Sequence, residues 1–116
     1  MKDGLDQATI SAAVGIALEE DVGKGDITSL WTVPERKQVT GKIFSREQGV
    51  VAGLIVACEV FRQVDASVAF NPKISDGDAV LPEQNVVELA GSARSMLTAE
   101  RVALNFLQRM SGIASL

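Results

Sequence analysis

"SVAFNPKISDGDAVLPEQNVVELAG", Ser67 to Gly91, decides the architecture of this 116-residue chain. Val68 and Phe70 fall on one side of an extended segment, because side chains alternate between faces with a period of two. Asp76-Gly77-Asp78 supplies turn residues, and Val86, Val87 and Leu89 supply the β-branched and apolar residues of another strand. The aspartate pair lacks the ligand spacing and closing glutamate of a calcium loop, so it reads as a solvated turn.

The stretches before it read in the same way. "QVTGKIFSREQGVVAG", Gln38 to Gly53, gives a strand through Val39, Gly41 and Ile43, a turn near Gly49 and a short second strand. Gly53 opens a helix in which Leu54, Ala57, Cys58 and Phe61 recur at helical spacing, so Cys58 reads as a small core residue. Nearer the N-terminus, Ile10, Ala13, Val14, Ala17 and Leu18 make one apolar stripe. A helix is expected from Gln7 to Asp21, capped by Asp6 and stopped by Gly23. "GKGDITS", Gly23 to Ser29, is a glycine-rich turn without a preceding strand or phosphate-loop spacing, and reads as a structural loop. The order is helix, two strands, helix, two or three strands, helix. Antiparallel strands with helices on one face, an α+β sandwich, fit that order.

Composition excludes several functions. The chain is 47% hydrophobic and 22% charged, which fits one globular domain. It contains no histidine and one cysteine, so it offers no histidine general base, no His-Cys zinc site and no internal disulfide. A net charge of -4 argues against general binding to nucleic acid or anionic membranes, while leaving room for a local basic site for an acidic small molecule. No apolar run approaches the roughly 20 residues that cross a bilayer, and the N-terminus has no secretory hydrophobic region. The expected location is the cytoplasm.

The last helix, "TAERVALNFLQRMSGIAS" from Thr98 to Ser115, carries the candidate chemistry. Thr98 is the expected N-cap, and Glu100 falls in the expected first turn, where negative charge complements the helix dipole. Val102, Phe106, Met110 and Ile113 line one side with Ala103 and Leu107 beside them. Arg101, Asn105, Gln108 and Gly112 follow at i, i+4, i+7 and i+11. Pattern alone describes a solvated face as well as a binding one.

Four segments in order add a resemblance. "LEEDVGKGDITS", "REQGVVAG", "DGDAV" and "LTAERVALNFLQRMSGIAS" together resemble the N-terminal domain of the quinolinate phosphoribosyltransferase family, across essentially the whole chain. Two places depart from the pattern: the pair Glu83-Gln84 stands where the family often has a glycine after the DGD turn, and Ser115 replaces a frequent threonine.

The resemblance implies a hammerhead-type α/β sandwich that accompanies a C-terminal catalytic barrel. The family joins quinolinate to phosphoribosyl pyrophosphate with loss of carbon dioxide, giving nicotinate mononucleotide for NAD synthesis. None of the barrel's motifs occurs here, so residues 1–116 are expected to be the N-terminal domain with the barrel absent, and to be inactive alone. Implied partners are that barrel and a second subunit, since in the family's dimers this domain closes the neighbour's site. Magnesium is expected with phosphoribosyl pyrophosphate on the barrel, and no metal site here. Arg101 matches the arginine that the family directs at quinolinate. Glu100 and Asn105 are possible supporting residues, with Arg94 and Arg109 as rival cations. A guanidinium suits a substrate with two carboxylates, because it can bind one through two charge-assisted hydrogen bonds, and the helix N-terminus is expected to add to the attraction. An isolated domain of this kind is expected to expose an apolar patch around Phe106, Met110 and Ile113. Two alternatives are a pyrophosphorylase-like relative associated with molybdate transport and a non-catalytic carrier or assembly module. The carrier reading lacks the required lysine at a hairpin tip.

Overall fold

Asp6 accepts the backbone N–H of Thr9 through Oδ1 at 2.8 Å, the bond of an N-cap. The computed structural model describes residues 6–24 and 37–111. Helix α1 runs Gln7–Lys24, three residues past the expected end. Gly23 lies inside it rather than stopping it, since a helical glycine costs only about 1 kcal/mol relative to alanine. The rest of the glycine-rich turn lies outside the described residues. Ile10 and Val14 are fully inside, with Ala17 and Leu18 packed against the core, while Ala13 is exposed.

Strands β1, Gln38–Phe44, β3, Ala69–Pro72, and β5, Asn85–Ser92, form an antiparallel sheet in the order β1-β5-β3. Two short strands, β2 at Gly49–Val50 and β4 at Ala79–Val80, make a separate antiparallel ladder. Between β1 and β5 the register shifts at Ile43/Phe44: Ile43 faces Val87 and Phe44 faces Asn85, leaving Val86 as the extra residue of a bulge. The bulge explains why Val86 and Val87 are both buried although they are adjacent in a strand. Ile43, Val87 and Leu89 face the core, whereas Thr40, Lys42 and Asn71 are exposed on the open side.

Helix α2, Leu54–Val64, packs against both α1 and α3, the latter spanning Ala93–Met110. Being enclosed on two sides, α2 buries Leu54, Val56, Ala57, Val60 and Phe61, and the Phe61 ring lies 5.7 Å from that of Phe70. Its exposed strip is Ile55, Cys58 and Arg62, at i, i+3 and i+7. Cys58 is therefore an exposed thiol and not the core residue expected from spacing. Burial of its flank and the neighbouring Glu59 carboxylate still push the thiol above its ordinary pKa.

The start of α2 corrects the reading of the aspartate turn. Gly53, at φ 99°, has a left-handed backbone and no side chain with which to cap. Asp76 supplies the cap from a distance: Leu54 N–H donates to its Oδ1 at 2.7 Å. Asp78 accepts Ser75 N–H at 2.8 Å. Both aspartates serve backbone amides, so the turn is more than a solvated connection.

Helix α3 begins six residues before the expected start, its N-cap falling at Ser92 and not at Thr98. Ser92 accepts Ser95 N–H at 3.4 Å. Thr98 sits inside the helix and bonds backward, its Oγ1 donating to Arg94 O at 3.1 Å. Glu100 is accordingly past the first turn and does not hold the helix start. The α+β architecture itself, with antiparallel strands and helices packed on one side, is as expected.

Candidate functional site

The polar side of α3 survives the shift in helix boundaries, because a register of 3.6 residues per turn does not depend on where the helix begins. Arg101, Asn105 and Gln108 are all exposed, while Ala99, Val102, Ala103 and Leu107 are buried on the other side. Arg101 is 51% exposed and is met from across the domain by Asp21, which is 17% exposed: Nη1 lies 3.3 Å from Asp21 Oδ1. Among the described residues that single nitrogen carries the contact, so the Nε/Nη2 edge of the fork has no described partner.

Beside this pair lies a cleft of about 140 Å³ between α1 and α3, lined by Glu20, Asp21, Asn105, Phe106 and Arg109 with Ala17 and Val102 at its floor. The fold thus brings Arg101, Asn105 and the rival Arg109 to one region, and it adds Glu20 and Asp21, which the sequence had not singled out. Arg94 belongs to the first turn of α3, roughly 10 Å along the axis from Arg101. Glu100 is exposed. One expectation fails: Arg101 is the ninth residue of α3, about 12 Å from its start, where the terminal dipole no longer acts. Its attraction for an anion comes from its own charge. Of the anticipated apolar patch, Phe106 is half-buried against the core and Met110 is exposed, while Ile113, like Gly112 of the polar side, lies outside the described residues.

A second constellation escaped the sequence reading. Glu59 is 3% exposed, and its carboxylate accepts hydrogen bonds from Gln7 at 3.0 Å, Ser11 at 2.7 Å, Gln63 at 2.7 Å and both Nε and Nη2 of Arg62 at 2.7 and 2.6 Å. The Arg62 hydrogen bonds, aided by Gln63 and Ser11, outweigh burial and hold its pKa at about 2. With so many donors it has no capacity left to act as a general base. It clamps α1 to α2 at the edge of an open groove of about 820 Å³ that Cys58 and Phe70 also line. The available signal was the i, i+3 pairing of Glu59 with Arg62 inside an otherwise apolar helix.

A guanidinium placed like that of Arg101 can pair with an anion through charge-assisted hydrogen bonds. Among the described residues no three histidine, cysteine or acidic side chains are placed to hold a metal ion. Residues 26–111 match the family described as "Quinolinate phosphoribosyl transferase, N-terminal domain". The chain belongs to this family.

Relatives of the quinolinate phosphoribosyltransferase N-terminal domain extend the match beyond those residues. The chain is 41% identical over 108 residues to the nicotinate-nucleotide pyrophosphorylase (carboxylating, chloroplastic) of Oryza sativa subsp. japonica, covering 92% of this chain and 29% of that protein. It is 41% identical, with coverage of 92% and 31%, to quinolinate phosphoribosyltransferase (decarboxylating) 1 of Nicotiana glauca. Among solved structures, the nicotinate-nucleotide pyrophosphorylase of Francisella tularensis superposes with a TM-score of 0.85 at 32% identity, over 91% of this chain and 38% of that one. NadC from Streptococcus pyogenes does so with a TM-score of 0.82 at 42% identity, over 90% and 38%. The chain spans about three tenths of the length of these curated relatives. Membership in this family removes the carrier-module alternative, and the turn from Leu81 to Gln84 that joins β4 to β5 holds no lysine to modify.

Proposed function

We propose that this domain serves a quinolinate phosphoribosyltransferase, in which Arg101 binds one carboxylate of quinolinate. The observation that carries the reading is the Arg101 guanidinium, half exposed on α3, with no partner among the described residues along one edge of its fork. Such an edge suits a planar carboxylate, which it can hold by two parallel hydrogen bonds. Asn105, one turn further along the exposed side, flanks the same approach.

The whole protein would transfer phosphoribosyl from phosphoribosyl pyrophosphate to quinolinate with decarboxylation, yielding nicotinate mononucleotide for NAD synthesis. The relatives named as quinolinate phosphoribosyltransferases support this assignment. Arg101 positions the substrate and leaves proton transfer to other groups, since a guanidinium stays protonated at working pH. Magnesium would accompany phosphoribosyl pyrophosphate on a catalytic barrel. We further propose a dimer in which the domain closes the site of a second subunit, and a cytoplasmic setting, although several relatives carry chloroplastic or mitochondrial names.

Steady-state kinetics of the barrel-containing protein test the reading. Arg101→Ala is expected to lower kcat/KM for quinolinate at least about tenfold, and Arg101→Lys to be impaired because it keeps the charge but loses the fork. Unchanged kinetics in Arg101→Ala would remove the assignment.

A further inference from the structure

We propose that Asp21 is a positioning residue for Arg101, holding the guanidinium in its ligand-ready orientation before the acidic substrate arrives. The inference rests on the assignment of Arg101 above and deepens it. Asp21 comes from α1, 80 residues away in sequence, and its Oδ1 stands 3.3 Å from Nη1. The two partners are unequal. Asp21 is mostly buried at 17% exposure and lines the cleft between the helices, whereas Arg101 is half exposed. The less mobile carboxylate therefore fixes the more mobile cation.

The helix that carries Asp21 is itself well anchored. Ile10 and Val14 sit in the core, and Gln7 and Ser11 are tied to the buried Glu59 carboxylate. A fixed carboxylate on α1 removes rotamer freedom from a long side chain that would otherwise be ordered only on binding. Because the contact engages one nitrogen and is long for a charge-assisted bond, it leaves the rest of the fork for a second carboxylate. Asp21 meets no reacting atom in this arrangement and acts only through Arg101.

Kinetics of Asp21→Asn, Asp21→Glu and Arg101→Ala in the barrel-containing protein test this. Asp21→Asn is expected to raise the quinolinate KM about fivefold, the cost of ordering one such side chain, while kcat and the KM for phosphoribosyl pyrophosphate stay within about twofold. Asp21→Glu should recover most of the loss, and Asp21→Asn added to Arg101→Ala should cause no further loss. An unchanged or lowered quinolinate KM in Asp21→Asn, beside an impaired Arg101→Ala, overturns the role of Asp21 and leaves that of Arg101 intact. Equal losses for both substrates mean a structural role, and also overturn it. A harmless Arg101→Ala overturns both assignments together.

Discussion

Leu54 N–H donates to Asp76 Oδ1 at 2.7 Å, so the N-terminus of one helix is capped by a turn 22 residues further along the chain. The local candidate, Gly53, is left-handed, and a Cβ there would stand 3.0 Å from Met110 Sδ. The helix start accordingly depends on a side chain from elsewhere. Asp76→Ala should lose about 1 kcal/mol of stability, as for other lost N-caps, and Asp76→Asn much less because it keeps an acceptor. Urea unfolding with an unchanged slope checks both.

Glu59 predicts the acid behaviour of the domain. Its pKa in the folded protein is about 2, below the ordinary 4.5, so its contribution is complete above about pH 4.5 and is lost as the pH falls toward 2. Glu59→Gln should cost about 2 kcal/mol at neutral pH, the scale of hydrogen bonds to a charged group. It should also flatten the fall in stability between pH 5 and 2, measured by urea midpoints. Asp6, held low mainly by the Thr9 backbone N–H, and Asp65, held low mainly by the Ser67 hydroxyl, add to the slope in the same direction.

Glu83 occupies a position shaped for glycine. Its φ is 66°, in the left-handed region that costs an L-residue roughly 1–2 kcal/mol, and its N–H is committed to Ser45 O at 2.6 Å. Glu83→Gly should stabilise the domain by about 0.5 kcal/mol after the glycine's greater chain entropy is subtracted. A lowered melting temperature would contradict this.

Cys58 should react in the folded state. A thiol reagent such as dithionitrobenzoate is expected to label one thiol per native chain at neutral pH, more slowly than free cysteine because its raised pKa reduces the thiolate fraction. Labelling that requires denaturant would place Cys58 in the core after all.

What the sequence revealed follows from how local each signal is. The Ile10 and Val14 stripe, the Asp6 cap and the polar side of α3 arise within one helix, and periodicity exposes them. The bulge at Val86, the distant cap from Asp76, the Glu59 clamp and the Asp21–Arg101 pair each join segments far apart in the chain, and no period encodes such a meeting. Thr98 misled because a threonine before a glutamate resembles a helix start, while its hydroxyl in fact bonds the preceding turn. Cys58 misled because spacing alone does not fix where the buried arc is centred, and Val56, Ala57, Val60 and Phe61 centre it away from the Ile55, Cys58 and Arg62 strip. Arg101 was singled out through its motif; its neighbour Asp21 was not.

The central claim, that this domain contributes an arginine to a site completed elsewhere, is tested most directly by calorimetric titration of quinolinate. The account predicts no measurable binding to the 116-residue chain, and clear binding to the barrel-containing protein that Arg101→Ala abolishes. Tight binding to the 116-residue chain alone, or undiminished binding to Arg101→Ala, would contradict it.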